Sequence, residues 1–250
     1  MNPKVLIPVA LGTNRDNDLA EAFTLAGAEP HTVPLTALRS GEVSMADFQI
    51  LAVPGGFSYG DALGAGRLFG LDLAGWFGDQ LHEAVGRGVP IIGICNGFQA
   101  LVRTGLLPGD VPSVLTENEN GRFECRWVTL GADSANESAW LSQLTESIRC
   151  PIAHGEGRFM SSDLAAIEAR GGVALRYLDR GEPAAMGYPA NPNGSPGDVA
   201  GVTDASGLVL GMMPHPENHI RDHQDPLRGR PGAAGNALPL FRAGVAAAGG

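Results

Sequence analysis

The chain has 250 residues, is 44% hydrophobic and 18% charged, and carries a formal net charge of −10. This length suits one large α/β domain, so we expect a single domain over residues 1–250. The negative charge argues against a nucleic-acid-binding surface, and no uninterrupted apolar run is long enough to span a bilayer. Three cysteines are too few for a secreted disulfide scaffold. The first residues have the pattern of a strand rather than of a signal peptide, so we expect a cytoplasmic protein.

The first half of the chain alternates predicted strands with predicted helices. Apolar runs predict strands at 4–10, 48–53 and 90–94. Helical spacing of apolar residues predicts helices at 15–27, 68–88 and 96–104. Such βαβ alternation implies a parallel sheet with helices on both faces.

The second half is richer in short strands and in turn residues. Strands are predicted at 122–130, 151–159, 173–178, 199–203 and 208–213, and a last helix at 238–247. Residues 204–207 have the composition of a hairpin turn between two of these strands. Residues 189–197 are mostly Pro, Gly and Asn, so they are expected to form a loop.

One cysteine lies at a predicted strand-to-helix turn, in the sequence Gly-Ile-Cys-Asn-Gly at 93–97. This is the nucleophile-elbow pattern with cysteine in place of serine. The turn would expose the Cys95 Sγ at the carboxyl end of a sheet and at a helix N-terminus, where the helix dipole favours a thiolate. The alternative is a buried cysteine beside two core glycines. Cys125 and Cys150 lack this context and are expected to be core or half-buried thiols.

A catalytic cysteine needs a base, and His215 is the histidine with the most suggestive context. It follows a predicted apolar strand, where α/β enzymes place functional groups, and Glu217 lies two residues on. A histidine can deprotonate the thiol while a carboxylate holds its tautomer. The alternative is a simple His-Pro loop with a solvated glutamate. His219 and His223 continue a four-residue spacing that mimics a metal ligand set. Pro216 lies in what would be the first turn of that span and Asp225-Pro226 ends it, and no metal is expected.

Glycines also follow the predicted strand at 48–53, in the sequence Val-Pro-Gly-Gly-Phe-Ser-Tyr-Gly-Asp at 53–61. This segment should lie at the same sheet edge as the elbow. An oxyanion hole needs two N–H donors aimed at the developing charge, and those of Gly56 and Asn96 are the candidates. The alternative is an ordinary turn that ends a strand.

With these three parts in order, the chain resembles the class I (triad) glutamine amidotransferases. Five stretches resemble, more narrowly, the glutaminase component of phosphoribosylformylglycinamidine synthase, over about residues 4–245. These stretches are Pro-Gly-Gly-Phe-Ser-Tyr-Gly-Asp at 54–61, Gly-Ile-Cys-Asn-Gly-Phe-Gln at 93–99, Pro-Ile-Ala-His-Gly-Glu-Gly-Arg-Phe at 151–159, Asn-Pro-Asn-Gly-Ser at 191–195 and Met-Pro-His-Pro-Glu at 213–217. The resemblance implies a flavodoxin-like α/β fold with a mostly parallel central sheet, helices on both faces and added antiparallel strands in the second half.

The resemblance also implies an activity. Cys95 would be the nucleophile that attacks the side-chain amide of L-glutamine, His215 the general base and acid, and Glu217 the orienting carboxylate. A γ-glutamyl thioester would then be hydrolysed to glutamate. The released ammonia would pass to a synthetase subunit that converts formylglycinamide ribonucleotide to formylglycinamidine ribonucleotide in purine biosynthesis.

The pocket and partners follow from the same resemblance. Gly55, Gly56, Asn96, Gln99 and His154 would form the oxyanion and substrate-binding wall, although a structural role for His154 is an equal alternative. The implied partners are the synthetase and a small third subunit, with ATP and Mg on the synthetase and no cofactor in this chain. Two other functions stay open: a free-standing cysteine hydrolase, such as a peptidase or a deglycase-like protein, and a regulatory subunit with a degenerate site.

Overall fold

The computed structural model describes residues 2–179, 187–230 and 232–249 of the chain. Within these residues the strands are β1 (Lys4–Val9), β2 (Glu29–Pro34), β3 (Ile50–Val53), β4 (Ile91–Ile94), β5 (Ser113–Thr116), β6 (Glu124–Ala132), β7 (Ile148–His154), β8 (Arg158–Ser161), β9 (Val173–Leu178), β10 (Val199–Thr203) and β11 (Val209–Met212). The helices are α1 (Asp16–Ala26), α2 (Leu35–Ser40), α3 (Arg67–Gly86), α4 (Asn96–Thr104), α5 (Leu164–Ala169) and α6 (Leu238–Ala248).

The main sheet has two halves with different pairing. Its strand order is β2-β1-β3-β4-β11-β10-β9-β6-β7. The strands from β2 to β11 pair in parallel. Those from β11 to β7 pair antiparallel. Strands β5 and β8 form a separate antiparallel pair. The prediction of a flavodoxin-like α/β sheet with antiparallel strands added in the second half is confirmed.

The parallel strands need apolar cover on both faces, and two pairs of helices pack around them. Helix α1 packs against α6, where the rings of Phe23 and Phe241 meet edge to face at 5.2 Å, and α3 packs against α4. Every residue of β3 and β4 is buried. One contiguous cluster of buried side chains reaches from Val5 on β1 to Leu175 on β9. Such a shared core is what one domain requires, and the assignment of a single domain over residues 1–250 stays a prediction.

The structure corrects the predicted strand at 151–159. Residues up to His154 belong to β7 in the main sheet, whereas β8 begins at Arg158 and pairs with β5. The break lies at 155–157, because the backbone there bonds to Asn118 instead of to a neighbouring strand. The Asn118 N–H donates to the Gly155 carbonyl at 2.8 Å, and its side-chain oxygen accepts from the Gly157 N–H at 3.0 Å.

Several short elements lay outside the sequence prediction. Strand β2 carries prolines at both 30 and 34, which are unusual in a strand but tolerated because β2 lies at the edge of the sheet. Helices α2 and α5 have only six residues each, too few for a helical period to stand out. Cys150 is buried as expected, but Cys125 is exposed, because the pleat of β6 turns its neighbour Glu124 inward instead.

Membrane and metal binding can be examined directly for the part of the chain that the structure describes. There, no helix combines the length and the apolar character needed to cross a bilayer. The same residues contain no group of three or more His, Cys, Asp or Glu side chains arranged to hold a metal ion. His215, His219 and His223 do not share a helix, since His215 and His219 flank a 3₁₀ turn over Pro216–Asn218 and His223 lies in a second one over Asp222–Gln224.

Candidate active site

Cys95 lies between the end of β4 and the start of α4, at the carboxyl edge of the parallel half of the sheet. Its φ is +50°, a left-handed conformation that costs a non-glycine residue on the order of 1–3 kcal/mol. Gly93 and Gly97 flank Cys95 closely in sequence, and the backbone atoms packed against them leave no room for a Cβ. A Cβ on Gly97 would lie 2.0 Å from the Val53 carbonyl oxygen, and one on Gly93 would lie 2.8 Å from the Gly97 carbonyl oxygen. The predicted strand–turn–helix geometry of the elbow is therefore present.

His215 and Glu217 form a buried pair just beyond β11, the strand next to β4. His215 Nδ1 lies 2.7 Å from Glu217 Oε1, and the two residues are 3% and 2% exposed. A carboxylate accepts, so Nδ1 carries the proton and Nε2 is the ring nitrogen free to exchange a proton with a thiol. The backbone is anchored as well, because the His215 N–H donates to the Pro151 carbonyl at 2.9 Å.

Electrostatics favour a proton on His215. Burial alone would lower the pKa of its imidazole, but the adjacent Glu217 and Cys95 outweigh burial and raise that pKa above its usual value. Cys95 and His215 line the same small cavity. The Cys95 Sγ also lies 3.8 Å from the Ala153 carbonyl oxygen, a weak contact that restricts the thiol. The structure thus brings the three predicted catalytic residues together.

The two glycines after β3 have separate roles. Gly55 packs against the imidazole, since a Cβ there would lie 2.8 Å from His215 Cε1. Gly56 has a φ of +137° and borders two cavities that Cys95 also lines. Asn96 is the first residue of α4, so its N–H has no partner within the helix. The N–H groups of Gly56 and Asn96 are thus near Cys95, and their role as oxyanion donors stays a prediction.

The side chain of Asn96 connects the elbow to the glycine-rich loop. Its oxygen accepts hydrogen bonds from the Ser58 N–H at 3.3 Å and from the Ser58 hydroxyl at 2.5 Å. Its nitrogen donates to Asp61 Oδ1 and to Gln99 Oε1, each at 3.2 Å. Gln99 in turn donates to the Glu156 carbonyl at 2.6 Å. Both polar ends of Gln99 therefore bond to protein, which makes its side chain a rigid wall of the cavity.

His154 borders the cavity in front of Cys95 and is 3% exposed. Its Nδ1 lies 3.0 Å from Asn118 Oδ1. The orientation of that amide follows from its other bonds, since Nδ2 donates to the carbonyls of His154 and Arg122 while Oδ1 accepts from the Gly157 N–H. The His154 Nδ1 must therefore be the donor, which leaves Nε2 as a lone-pair acceptor.

Charge at His154 is disfavoured. Burial lowers the pKa of this imidazole to about 4, and the nearby His215 acts in the same direction. Its Nε2 is buried and has no hydrogen-bond partner among the described residues. The ring also packs tightly on the chain, since a Cβ on Gly157 would lie 2.3 Å from Nδ1. His154 is thus a neutral side chain with an unused acceptor.

The loop at 191–195 contacts the segment that follows His154 and holds it in place. Asn193 is fully buried and donates to the Gly157 carbonyl at 2.8 Å and to the Tyr177 hydroxyl at 3.0 Å. The Ser195 hydroxyl accepts from the Phe159 N–H at 3.0 Å. These inward contacts identify the loop as a rigid support for the segment after His154.

Ser58, Asp61, Asn118 and Glu156 contribute to the site although sequence reasoning gave them no role. The glycine-rich stretch pointed to the neighbourhood of Ser58 and Asp61, and the resemblance pointed to that of Glu156. Asn118 had no such signal, because it lies in an ordinary polar run, Glu-Asn-Glu-Asn at 117–120. Only its four side-chain hydrogen bonds identify it.

Comparisons with known proteins agree with this geometry. The model of the CobB/CobQ-like glutamine amidotransferase domain matches residues 2–246. The chain is 46% identical to phosphoribosylformylglycinamidine synthase subunit PurQ of Treponema denticola over 242 residues, covering 88% of this chain and 89% of that protein. It is 42% identical to the subunit of that name from Dehalococcoides mccartyi over 227 residues, covering 89% and 88%.

The solved structure of PurLQS from Thermotoga maritima contains a chain with the same fold. It is 33% identical, superposes with a TM-score of 0.75, and the match covers 97% of each chain. Identity at this level over nearly the whole length indicates common descent as well as a shared architecture. The chain therefore belongs to the CobB/CobQ-like glutamine amidotransferase family, within the group of phosphoribosylformylglycinamidine synthase subunits PurQ.

Proposed function

We propose that this chain is the glutaminase subunit of phosphoribosylformylglycinamidine synthase and that Cys95, His215 and Glu217 carry out its chemistry. The observation that carries the proposal is the buried 2.7 Å contact between His215 and Glu217 beside a cysteine on a nucleophile elbow. The substrate is L-glutamine, in line with the family to which the chain belongs.

The first half-reaction forms a thioester. His215 Nε2 takes the proton of the Cys95 thiol, and the thiolate attacks the side-chain amide carbon of glutamine. The carbonyl π electrons move to oxygen, giving a tetrahedral oxyanion. When the carbonyl re-forms, the C–N bond breaks and the His215 imidazolium protonates the leaving nitrogen as ammonia. Glu217 stabilises the imidazolium and holds its orientation throughout.

The second half-reaction releases glutamate. His215 removes a proton from water, and the oxygen of that water attacks the thioester carbon to give a second oxyanion. Collapse of this intermediate breaks the C–S bond, and the imidazolium returns the proton to the thiolate of Cys95. The N–H groups of Gly56 and Asn96 are the proposed donors to both oxyanions.

The ammonia is consumed by a partner. In this proposal a synthetase subunit binds ATP and Mg and aminates formylglycinamide ribonucleotide, and a small third subunit completes the complex. The Thermotoga maritima relative was solved as PurLQS, a name for several subunits together, and this supports an assembly of that kind here. We place this reaction in the cytoplasm, where the nucleotide substrates are made, and assign no cofactor to this chain.

The test is glutamate release from glutamine by the purified chain, alone and then with the synthetase component, ATP-Mg and formylglycinamide ribonucleotide. We expect a large rise when the partner is added. Strong activity alone that the partner does not change would instead support an independent glutaminase. Absence of glutamate under both conditions would support the two other functions, a cysteine hydrolase with a different substrate or a regulatory subunit with a degenerate site.

The Cys95→Ala variant tests the role of the nucleophile. We expect glutamine-dependent synthesis by the assembled complex to fall by at least about 10³-fold, because no thioester can form. Synthesis with added ammonium should be unchanged, because free ammonia bypasses this site. If the variant retained full glutamine-dependent activity, the triad assignment would be wrong.

A further inference from the structure

The cavity in front of Cys95 has an unbalanced negative charge. It has a volume of about 130 Å³. Asp61 and Glu156 contribute its charged side chains, and no lysine or arginine is among the described residues that border it. A zwitterionic amino acid that enters side-chain amide first must place its α-ammonium group somewhere along this wall.

Each carboxylate uses one oxygen to fix its position and leaves the other unused. Asp61 Oδ1 accepts from Asn96 Nδ2 at 3.2 Å, and Glu156 Oε1 accepts from the Ala65 N–H at 3.2 Å. Within the described part of the chain, Asp61 Oδ2 and Glu156 Oε2 make no hydrogen bond, and neither carboxylate forms an ion pair. Two fixed, unpaired carboxylates in one cavity repel each other unless a cation lies between them.

A second observation also points to a ligand that donates hydrogen bonds. His154, which is 3% exposed, borders the same cavity, and its Nε2 is an acceptor without a partner among the described residues. Burial and the charge of Glu156 both raise the pKa of Asp61, as expected where negative groups face each other out of water. The described residues that border the cavity are therefore rich in acceptors and include no cation. The nearby Arg67 is not among them, although its Cζ and Glu156 Oε2 would lie 3.5 Å and 3.6 Å from a Cβ on Gly64, and it forms no ion pair with either carboxylate. A primary ammonium group offers one positive charge and three N–H donors.

We propose that Asp61 and Glu156 bind the α-ammonium group of glutamine and thereby select an amino-acid amide over a simple amide. This assignment rests on the proposed glutaminase function. Asp61 bonds to Asn96, the residue after the nucleophile, and the Glu156 carbonyl bonds to Gln99 one turn further along α4. Both carboxylates therefore have fixed positions relative to Cys95. Binding of the α-ammonium group to them would then position the side-chain amide of glutamine at the Cys95 thiol.

The test compares glutamine with glutaramate, the same amide without the α-amino group, in the assembled complex. In Asp61→Asn and Glu156→Gln we expect kcat/KM for glutamine to fall about 10- to 100-fold, mainly through KM, because a hydrogen bond to a charged group is lost. The kcat/KM for glutaramate should change little, so the preference for glutamine should collapse. An equal fall for both substrates, or no fall for glutamine, would overturn the assignment.

Glu119→Gln is the matched control, since Glu119 lies on a neighbouring loop, is paired with Arg158 and does not border the cavity. It should leave the ratio of the two kcat/KM values unchanged. Co-elution of each variant with the synthetase in size-exclusion chromatography reports folding and assembly. A wild-type complex without glutamine-dependent activity would reject the proposed function and this assignment together. An active wild type with an unaltered ratio in the variants would reject this assignment alone.

Discussion

Two buried histidines share cavities with Cys95, and their partners give them opposite acid–base behaviour. His215 bonds to the carboxylate of Glu217, and its pKa is raised although burial opposes this. His154 bonds to the neutral amide of Asn118, and burial lowers its pKa to about 4. Each ring is 3% exposed. Exposure is thus the same at both sites, and the charges beside each ring, chiefly Glu217 and then Cys95 at His215, decide which histidine can hold a proton at neutral pH.

This contrast suits the proposed chemistry. A general base near a thiol must accept a proton and pass it to a leaving nitrogen, which Glu217 makes possible at His215. A second imidazolium close by would repel the first, so a neutral His154 leaves one proton carrier in the site. If an amide replaces the carboxylate partner of His215, the pKa of His215 should fall. If a carboxylate replaces the amide partner of His154, the pKa of His154 should rise.

The largest effect is expected from Glu217→Gln. The amide oxygen can still accept from His215 Nδ1, but the charge that stabilises the imidazolium is gone, so the pKa of His215 should fall. We expect kcat for glutamine hydrolysis in the complex to drop about 100-fold with little change in KM. Surface variant Glu21→Gln, which removes only the ion pair with Arg221, serves as the control. An unchanged kcat would mean that Glu217 does not assist His215.

A smaller effect is expected on how the free energy of unfolding depends on pH. The folded pKa of His154 is about 4 and lies below the value of about 6.5 expected when unfolded, so acid should favour the unfolded chain. This loss begins as pH falls below about 6.5 and is complete near the folded pKa. The raised pKa of His215 works oppositely, stabilising the fold below about 6.5 and losing that effect as pH rises through its folded pKa.

His154→Asn isolates this contribution, because an asparagine amide can still donate to Asn118. We expect the wild type to lose about 2 kcal/mol more unfolding free energy than the variant between pH 7 and pH 5. Urea unfolding at the two pH values measures the difference. The other titratable groups are the same in both proteins, so their contributions cancel. An equal acid loss in both proteins would show that His154 titrates normally in the fold.

The smallest effect is expected from Asn118→Asp, which gives His154 a carboxylate partner like that of His215. The pKa of His154 should rise from about 4 towards or above its ordinary value, which NMR titration of the ring can measure. We expect glutamine hydrolysis at pH 7 to fall about 10-fold, because a second imidazolium disfavours protonation of His215.

The Asn118→Asp variant also loses the donor to the carbonyls of His154 and Arg122, so Asn118→Ser, which cannot charge, is its matched control. Activity of the Asp variant should recover at high pH as His154 loses its proton, whereas that of the Ser variant should not. Identical pH profiles for the two variants would contradict a role for charge at His154.

The fold could be predicted wherever a local pattern was strong. The apolar runs of β1, β3 and β4 and the glycines around Cys95 specify buried strands and a tight turn without help from the rest of the chain. Strand β2 could not be found in this way, because its pairing with β1 stabilises a segment whose prolines disfavour a strand. The predicted strand over 151–159 was wrong because Asn118, distant in sequence, takes the backbone hydrogen bonds at its middle.

The residues of the candidate site also fall into two groups, those that a local pattern predicted and those that only the fold revealed. The sequence by itself determined Cys95 through its elbow, and His215 with Glu217 through a two-residue spacing after an apolar strand, because these relations are local. Only the tertiary structure decided that burial keeps His154 neutral and that Asp61 and Glu156 border one cavity beside the nucleophile. Those properties depend on burial and on contacts between segments more than thirty residues apart. Both arise only when the chain folds, so a local sequence pattern does not predict them.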